Sequence, residues 1–145
     1  MPLRVAVQMD PLEAINVAGD STFAIMLKAQ ELAHELFHYL AADLSYAEAG
    51  LWAITHPVTV QNPAGDHYRF GEPQVLDLGR DVDVVLVRQG PPFDLGYITA
   101  THLLERIQDE TLVVNDPASV RNAPEKVWVV DFSRFMPPTV INRSL

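Results

Sequence analysis

There is no cysteine in this chain, which excludes a disulfide framework, a thiol nucleophile and a thiolate metal site. Cations are also scarce. Ten Lys plus Arg stand against nineteen Asp plus Glu, for a formal net charge of −9, and Lys28 and Lys126 are the sole lysines. Binding nucleic acid needs a basic face that neutralises phosphates. No basic cluster exists here, so no nucleic-acid partner is expected. No apolar run approaches the ~18 residues of a membrane span, and Val5 to Val7 behind Arg4 is too short for a signal-peptide core. No membrane partner is expected, and a cytoplasmic location fits. The phosphate-cradling patterns G-x-x-x-x-G-K-[ST] and G-x-G-x-x-G are both missing, so nothing in the chain looks able to hold ATP by itself. His34, His38, His56, His67 and His102 share no metal spacing such as H-E-x-x-H, and no metal site is expected.

The chain has 145 residues, 48% of them apolar, which suits one globular domain with a real core. Its most informative stretch is VDVVLVRQGPPFD, Val82 to Asp94. Val82 to Val87 is nearly continuous in apolar, β-branched residues, the pattern of a central strand buried on both faces in a parallel sheet. Such a strand must end before Pro91, because proline cannot donate to a ladder. Its last residue is then Arg88. Open α/β sheets collect ligands at the carboxyl ends of their strands.

Around that strand the chain alternates. LRVAVQM, Leu3 to Met9, is a first buried strand leaving through Asp10-Pro11. Asp20 or Ser21 caps a helix beginning near Thr22. Phe23, Met26, Leu27 and Ala33 keep helical spacing, and the periodicity either runs to about Leu40 or stops near His34, with a strand from Leu36 to Ala41. Trp52, Ile54, His56, Val58 and Val60 alternate strictly, and Asn62-Pro63-Ala64-Gly65-Asp66 is turn chemistry followed by Tyr68 and Phe70. Leu51 to Phe70 is therefore a predicted inserted β-hairpin. Ala100, Leu103, Leu104 and Ile107 mark an amphipathic helix capped by Asp94. Leu112 to Val114 is another short strand, and Asp116-Pro117 opens a short helix to Arg121. Pro124 could open a further helix, while the valines from Val127 to Val130 favour a strand.

Strands alternating with helices predict a parallel α/β sheet. Right-handed crossovers then bring the loops at Asp10-Pro11, Arg88 to Asp94 and Asn115-Asp116-Pro117 to one edge. Arg88 there is suited to gripping a carboxylate bidentately, or to a structural ion pair with Asp10 or Asp94. Asp10, Ser21 and Asn115 could each bond substrate or merely tie down a loop.

Several words of the sequence resemble one family. They are MDP at Met9 to Pro11, DSTFAIMLKAQ at Asp20 to Gln30, VLVRQGPPFD at Val85 to Asp94, ATHLLER at Ala100 to Arg106 and VVNDPASVRNAPEK at Val113 to Lys126. Together they resemble the N-terminal domain of bacterial glutathione synthetase, over residues 3 to about 138. The resemblance implies a Rossmann-like, three-layer pre-ATP-grasp domain, with a mainly parallel sheet and the inserted hairpin. It also ends the first helix near His34, makes Glu35 to Ala41 a strand, and makes Pro124 to Phe132 a helix against local propensity. Residues 1–122 would form this domain, and residues 123–145 a linker helix and the start of an ATP-grasp domain.

The family joins γ-glutamylcysteine to glycine with ATP and Mg2+, through an acyl phosphate, and its members are about twice this long. The chain is therefore expected to be an isolated domain or fragment, inactive alone. Its partners would be the two substrates and the missing ATP-grasp domain, with Met136 to Ile141 promoting self-association into homo-oligomers. The resemblance strengthens a substrate-binding role for Arg88, with Asp10, Ser21 and Asn115 the other candidate substrate-binding residues. Two other classes stay open: a stand-alone α/β ligand-binding or regulatory module, and the N-terminal domain of another ATP-dependent carboxylate–amine ligase.

Overall fold

The computed structural model describes residues 1–47, 50–62 and 65–142. Strand β1, Arg4–Gln8, pairs in parallel with β2, Glu35–Tyr39, on one side and with β7, Val84–Val87, on the other. Strand β8, Leu112–Val114, continues the sheet in parallel beyond β7. β1 and β7 are therefore the two inner strands of this parallel part. In β1, Val5, Ala6, Val7 and Gln8 are all buried, as a strand covered on both faces requires.

The sheet separates two cores. On one face Val5, Val7 and Met9 pack with Phe23 and Met26 of helix α1, Ser21–Glu31. On the other, Ala6 packs with Val85, Val87 and Leu104 of helix α2, Leu95–Glu105. Helix, sheet and helix make the expected three-layer α/β arrangement. The burial of β7, not its placement, departs from expectation. β7 is paired on both sides, by β1 and β8, and Val85 and Val87 are fully covered, but Val84 and Leu86 are only half-buried. Helix α1 packs over β2 and β4, leaving that face of β7 partly open.

The inserted segment is larger than a hairpin. Strand β4, Gly50–Val60, pairs antiparallel with β2, with β3 (Leu44–Ala47), with β5 (Tyr68–Phe70) and with β6 (Gln74–Asp77). With three parallel and four antiparallel pairings, the whole sheet is mixed rather than mainly parallel. The expected β4–β5 hairpin is present, although Pro63 and Ala64 of its turn lie outside the described residues. β4 buries Leu51 and Ala53 in the α2-side core and Val58 and Val60 in the α1-side core. A strand that passes from one core to the other exposes opposite faces along its length, which leaves Ile54 and Thr59 outside.

Three of the helices start on an aspartate. Asp20 Oδ1 accepts from the Phe23 N–H at 2.7 Å, Asp94 Oδ1 from Tyr97 at 2.9 Å and Asp116 Oδ1 from Ser119 at 2.6 Å. These satisfy amide donors that a helix leaves unpaired in its first turn. The last opens α3, Pro117–Asn122. α1 ends because Ala33 turns left-handed, at φ 63°. Its N–H donates to Gln30 O and that of His34 to Ala29 O, the paired bonds of a Schellman stop. Glu35 then starts β2. After α3 come α4, Glu125–Trp128, and a 3-10 stretch, Val129–Phe135, so the valines there are helical, not a strand.

Candidate functional site

The carboxyl ends of β1, β7 and β8 lie side by side, and the sequence-derived site residues fall there. Arg88 follows the last residue of β7. Its N–H donates to the Gln8 carbonyl at 2.8 Å, extending the parallel ladder by one bond before the Gly90-Pro91-Pro92 loop. That bond fixes where the side chain leaves the sheet. Arg88 Nη2 donates to Ser21 Oγ at 2.8 Å, and Nε donates to Thr22 Oγ1 at 3.0 Å. Both acceptors belong to the first turn of α1, which Asp20 caps. A guanidinium has five N–H donors, so two are committed to hydroxyls and three remain.

Neither expected ion pair forms. Among the described residues no carboxylate lies within 4.0 Å of the Arg88 guanidinium. Asp94 is occupied in capping α2. Asp10 instead accepts from the Gly90 N–H, through Oδ2 at 3.2 Å, tying the loop after β1 to the loop after β7. Ser21 and Arg88 are thus in direct contact, and Asp10 joins them through the Gly90 loop. Asn115 stands apart. It is exposed, one residue beyond the Leu86–Val114 pairing, and has no side-chain hydrogen bond among the described residues.

Three further residues belong to this edge. Thr22 is the second hydroxyl on Arg88. Gln89, next along the loop, accepts from Gln8 Nε2 at 3.2 Å. Tyr97, on the first turn of α2, feels both charges of the site. Burial raises its phenol above the ordinary value, the Arg88 cation pulls it down and the Asp10 carboxylate pushes it up again. Its position three residues after the Asp94 cap was the available signal, because a first-turn side chain faces the end of the sheet from which the helix starts.

Chemically, the edge offers a half-buried, hydroxyl-braced guanidinium with donors to spare, a carboxylate close by and a phenol near both. That set suits a small zwitterionic or carboxylate-bearing ligand. No group of three His, Asp or Glu side chains converges as metal ligands among the described residues, and the sequence has no phosphate loop.

The profile of the family described as prokaryotic glutathione synthetase, N-terminal domain, matches residues 3–121. The chain belongs to that family. Among its relatives, the glutathione synthetase of Bradyrhizobium diazoefficiens is 56% identical over 145 residues, covering 100% of this chain and 46% of that protein. That of Rhodopseudomonas palustris is 54% identical over 143 residues, covering 99% of this chain and 45% of that protein. The glutathione synthetase of Shewanella oneidensis, at 38% identity over 142 residues, covers 97% and 45%. The chain therefore spans a little under half the length of the curated relatives it matches. No helix among the described residues is long and apolar enough to cross a membrane.

Proposed function

We propose that this chain is the substrate-side domain of a cytoplasmic glutathione synthetase, which joins γ-glutamylcysteine to glycine, and that Arg88 holds a carboxylate of the dipeptide. The observation that carries the reading is the state of Arg88: braced by Ser21 and Thr22, without a carboxylate partner among the described residues, at the carboxyl end of a parallel strand. Ligation through an acyl phosphate requires no nucleophilic side chain. It requires substrate carboxylates held in place while a phosphoryl group is transferred and its charge neutralised, so this domain contributes positioning and electrostatics. Ser21 and Thr22 orient the guanidinium, Asp10 is placed to receive the ammonium group of the γ-glutamyl end, and Asn115 borders the same edge. In the family the activating chemistry comes from ATP and Mg2+. No group of three His, Asp or Glu side chains among the described residues offers a metal site, and in this reading ATP and Mg2+ are both assigned to an ATP-grasp domain.

In this reading residues 1–122 form the substrate-side domain and residues 123–145 lead into that second domain. Trp128, Phe132, Phe135 and Val140 are exposed. Apolar side chains of this kind commonly mark contact surfaces, and they support a role in meeting the second domain or, in the chain alone, a second copy.

The test is a titration of the isotope-labelled chain with millimolar γ-glutamylcysteine, followed by NMR. Shifts confined to Asp10, Ser21, Thr22, Arg88 Nε, Gly90, Tyr97 and Asn115 are expected. Shifts elsewhere, or none, would contradict the proposal. Calorimetry of the same chain with Mg-ATP is expected to show no stoichiometric micromolar site.

A further inference from the structure

The loop between β1 and α1 carries Asp10, and two buried histidines from elsewhere in the fold grip it. His38 on β2 is 4% exposed, and its Nε2 lies 3.2 Å from the Asp10 carbonyl oxygen. His67, just before β5, is 7% exposed, and its Nε2 lies 2.7 Å from the Leu12 carbonyl oxygen, across 55 residues of chain. A carbonyl oxygen can only accept, so each ring must carry a proton on Nε2. The tautomers are therefore fixed by the backbone they bind.

The His67 ring is committed to this bond at a cost. Its Nδ1 is buried and has no hydrogen-bond partner, and an unmet buried acceptor is normally unfavourable. Rings hold it in place: Phe23 of α1 meets it edge-on at 5.6 Å and Tyr68 at 5.0 Å. His38 is held similarly. Phe70 lies 5.3 Å from its ring, and His56 faces it across the β2–β4 pairing. His38 is thus held by residues of the inserted strands and His67 by Tyr68 together with Phe23 of α1, and each directs one donor at the loop that follows β1.

We infer that His38 and His67 are positioning residues for the Asp10 carboxylate, and that the inserted β4–β5 hairpin acts as a brace for the substrate edge. With two carbonyls held, residues 10 to 12 have little freedom, and the Asp10 side chain meets the Gly90 N–H. The loops after β1 and β7 then keep a constant separation, which sets the distance between Asp10 and Arg88. The inference rests on the proposed substrate role of that edge.

The test uses His38→Leu and His67→Leu, which keep bulk and remove the donor, and His67→Gln, whose side-chain amide can restore it. In the isotope-labelled chain, both Leu variants should move the Gly90 amide resonance and speed its hydrogen exchange, and the Gln variant should not. Ile107→Val, a core change on the opposite face of the sheet, serves as a control for general destabilisation and should leave Gly90 alone. In the full-length ligase, assayed well below its melting temperature, each Leu variant should raise the dipeptide KM roughly five- to tenfold, about what one lost hydrogen bond gives. The KM for ATP should stay unchanged, and His67→Gln should return the dipeptide KM toward the starting value. A Gly90 amide indifferent to both Leu variants, or one that Ile107→Val moves equally, overturns the inference. So does an unchanged dipeptide KM in the Leu variants when Arg88→Ala raises it. If Arg88→Ala also leaves that KM unchanged, the reading of the edge as the substrate site fails, and the inference falls with it.

Discussion

Arg88 and Ser21 are 67 residues apart in sequence, yet Arg88 Nη2 donates to Ser21 Oγ at 2.8 Å. The contact joins the end of β7 to the start of α1. It also explains why the first turn of that helix carries two adjacent hydroxyls, Ser21 and Thr22, both used by one guanidinium. Thr22→Val keeps the shape of the side chain and removes the acceptor for Nε. It is expected to cost about 1 kcal/mol of stability, the usual net value of one such bond, and to broaden the Arg88 Nε resonance. An unchanged Nε signal would show that Thr22 does not orient the guanidinium.

Gly90 sits where the two loops meet. A Cβ built on it would run into the Asp10 carboxylate Oδ2. Gly90→Ala should therefore displace that carboxylate and break its bond to the residue-90 N–H, while leaving the Arg88–Ser21 contact intact. Comparing the Asp10 and Ser21 resonances of the two proteins checks this, and equal shifts at both would argue against it.

Ala33 closes α1 in a left-handed conformation that costs a non-glycine residue about 1–2 kcal/mol. Ala33→Gly relieves that cost but adds freedom to the unfolded chain, worth about 0.4–1 kcal/mol. A net gain of about 0.5–1 kcal/mol is expected from chemical denaturation. A loss of stability would mean that the helix does not stop as described.

The same residue explains one ambiguity in the sequence. With alanine where glycine usually marks a helix end, local pattern alone could not choose between a helix to Leu40 and a strand from Leu36. The family resemblance chose correctly, because the pairing of β2 with β1 outweighs local periodicity. Apolar runs revealed β1, β7 and β8, the Asp caps revealed α1, α2 and α3, and only the family resemblance pointed to the helix after Pro124. The strands Leu44–Ala47 and Gln74–Asp77 were not legible. They are short, half exposed and defined by pairing to β4, a long-range contact that leaves little local trace. The site followed the same division. Arg88 and Asp10 were visible as polar residues ending apolar strands. Thr22 and Tyr97 were hidden, because their role depends on how helices dock on the sheet.

Asp116 gives a pH signature. Hydrogen bonds from the Ser119 hydroxyl, the Gln108 amide and the Ser119 N–H bring its carboxyl from an ordinary 3.8 down to about 2. A folded value below the unfolded one means that the ionised form favours the fold. This contribution is fully present above about pH 4 and is lost as pH falls toward 2. Carbon-detected titration of the Asp116 carboxyl should show a midpoint near 2, and Asp116→Asn should remove the corresponding part of the acid dependence of stability. A midpoint near the ordinary value would show that the cap is not held.

The central claim is that Arg88 binds substrate. Losing one bidentate arginine–carboxylate contact typically costs ~2–3 kcal/mol, or roughly one to two orders of magnitude in affinity. The direct measurement is steady-state kinetics of the full-length ligase carrying Arg88→Ala and, separately, Arg88→Lys, with dipeptide and ATP varied independently. The dipeptide KM should rise by roughly ten- to a hundredfold in a normally folded variant, with the KM for ATP little changed. A folded variant with an unaltered dipeptide KM would contradict it and leave Arg88 as a structural tie between β7 and α1.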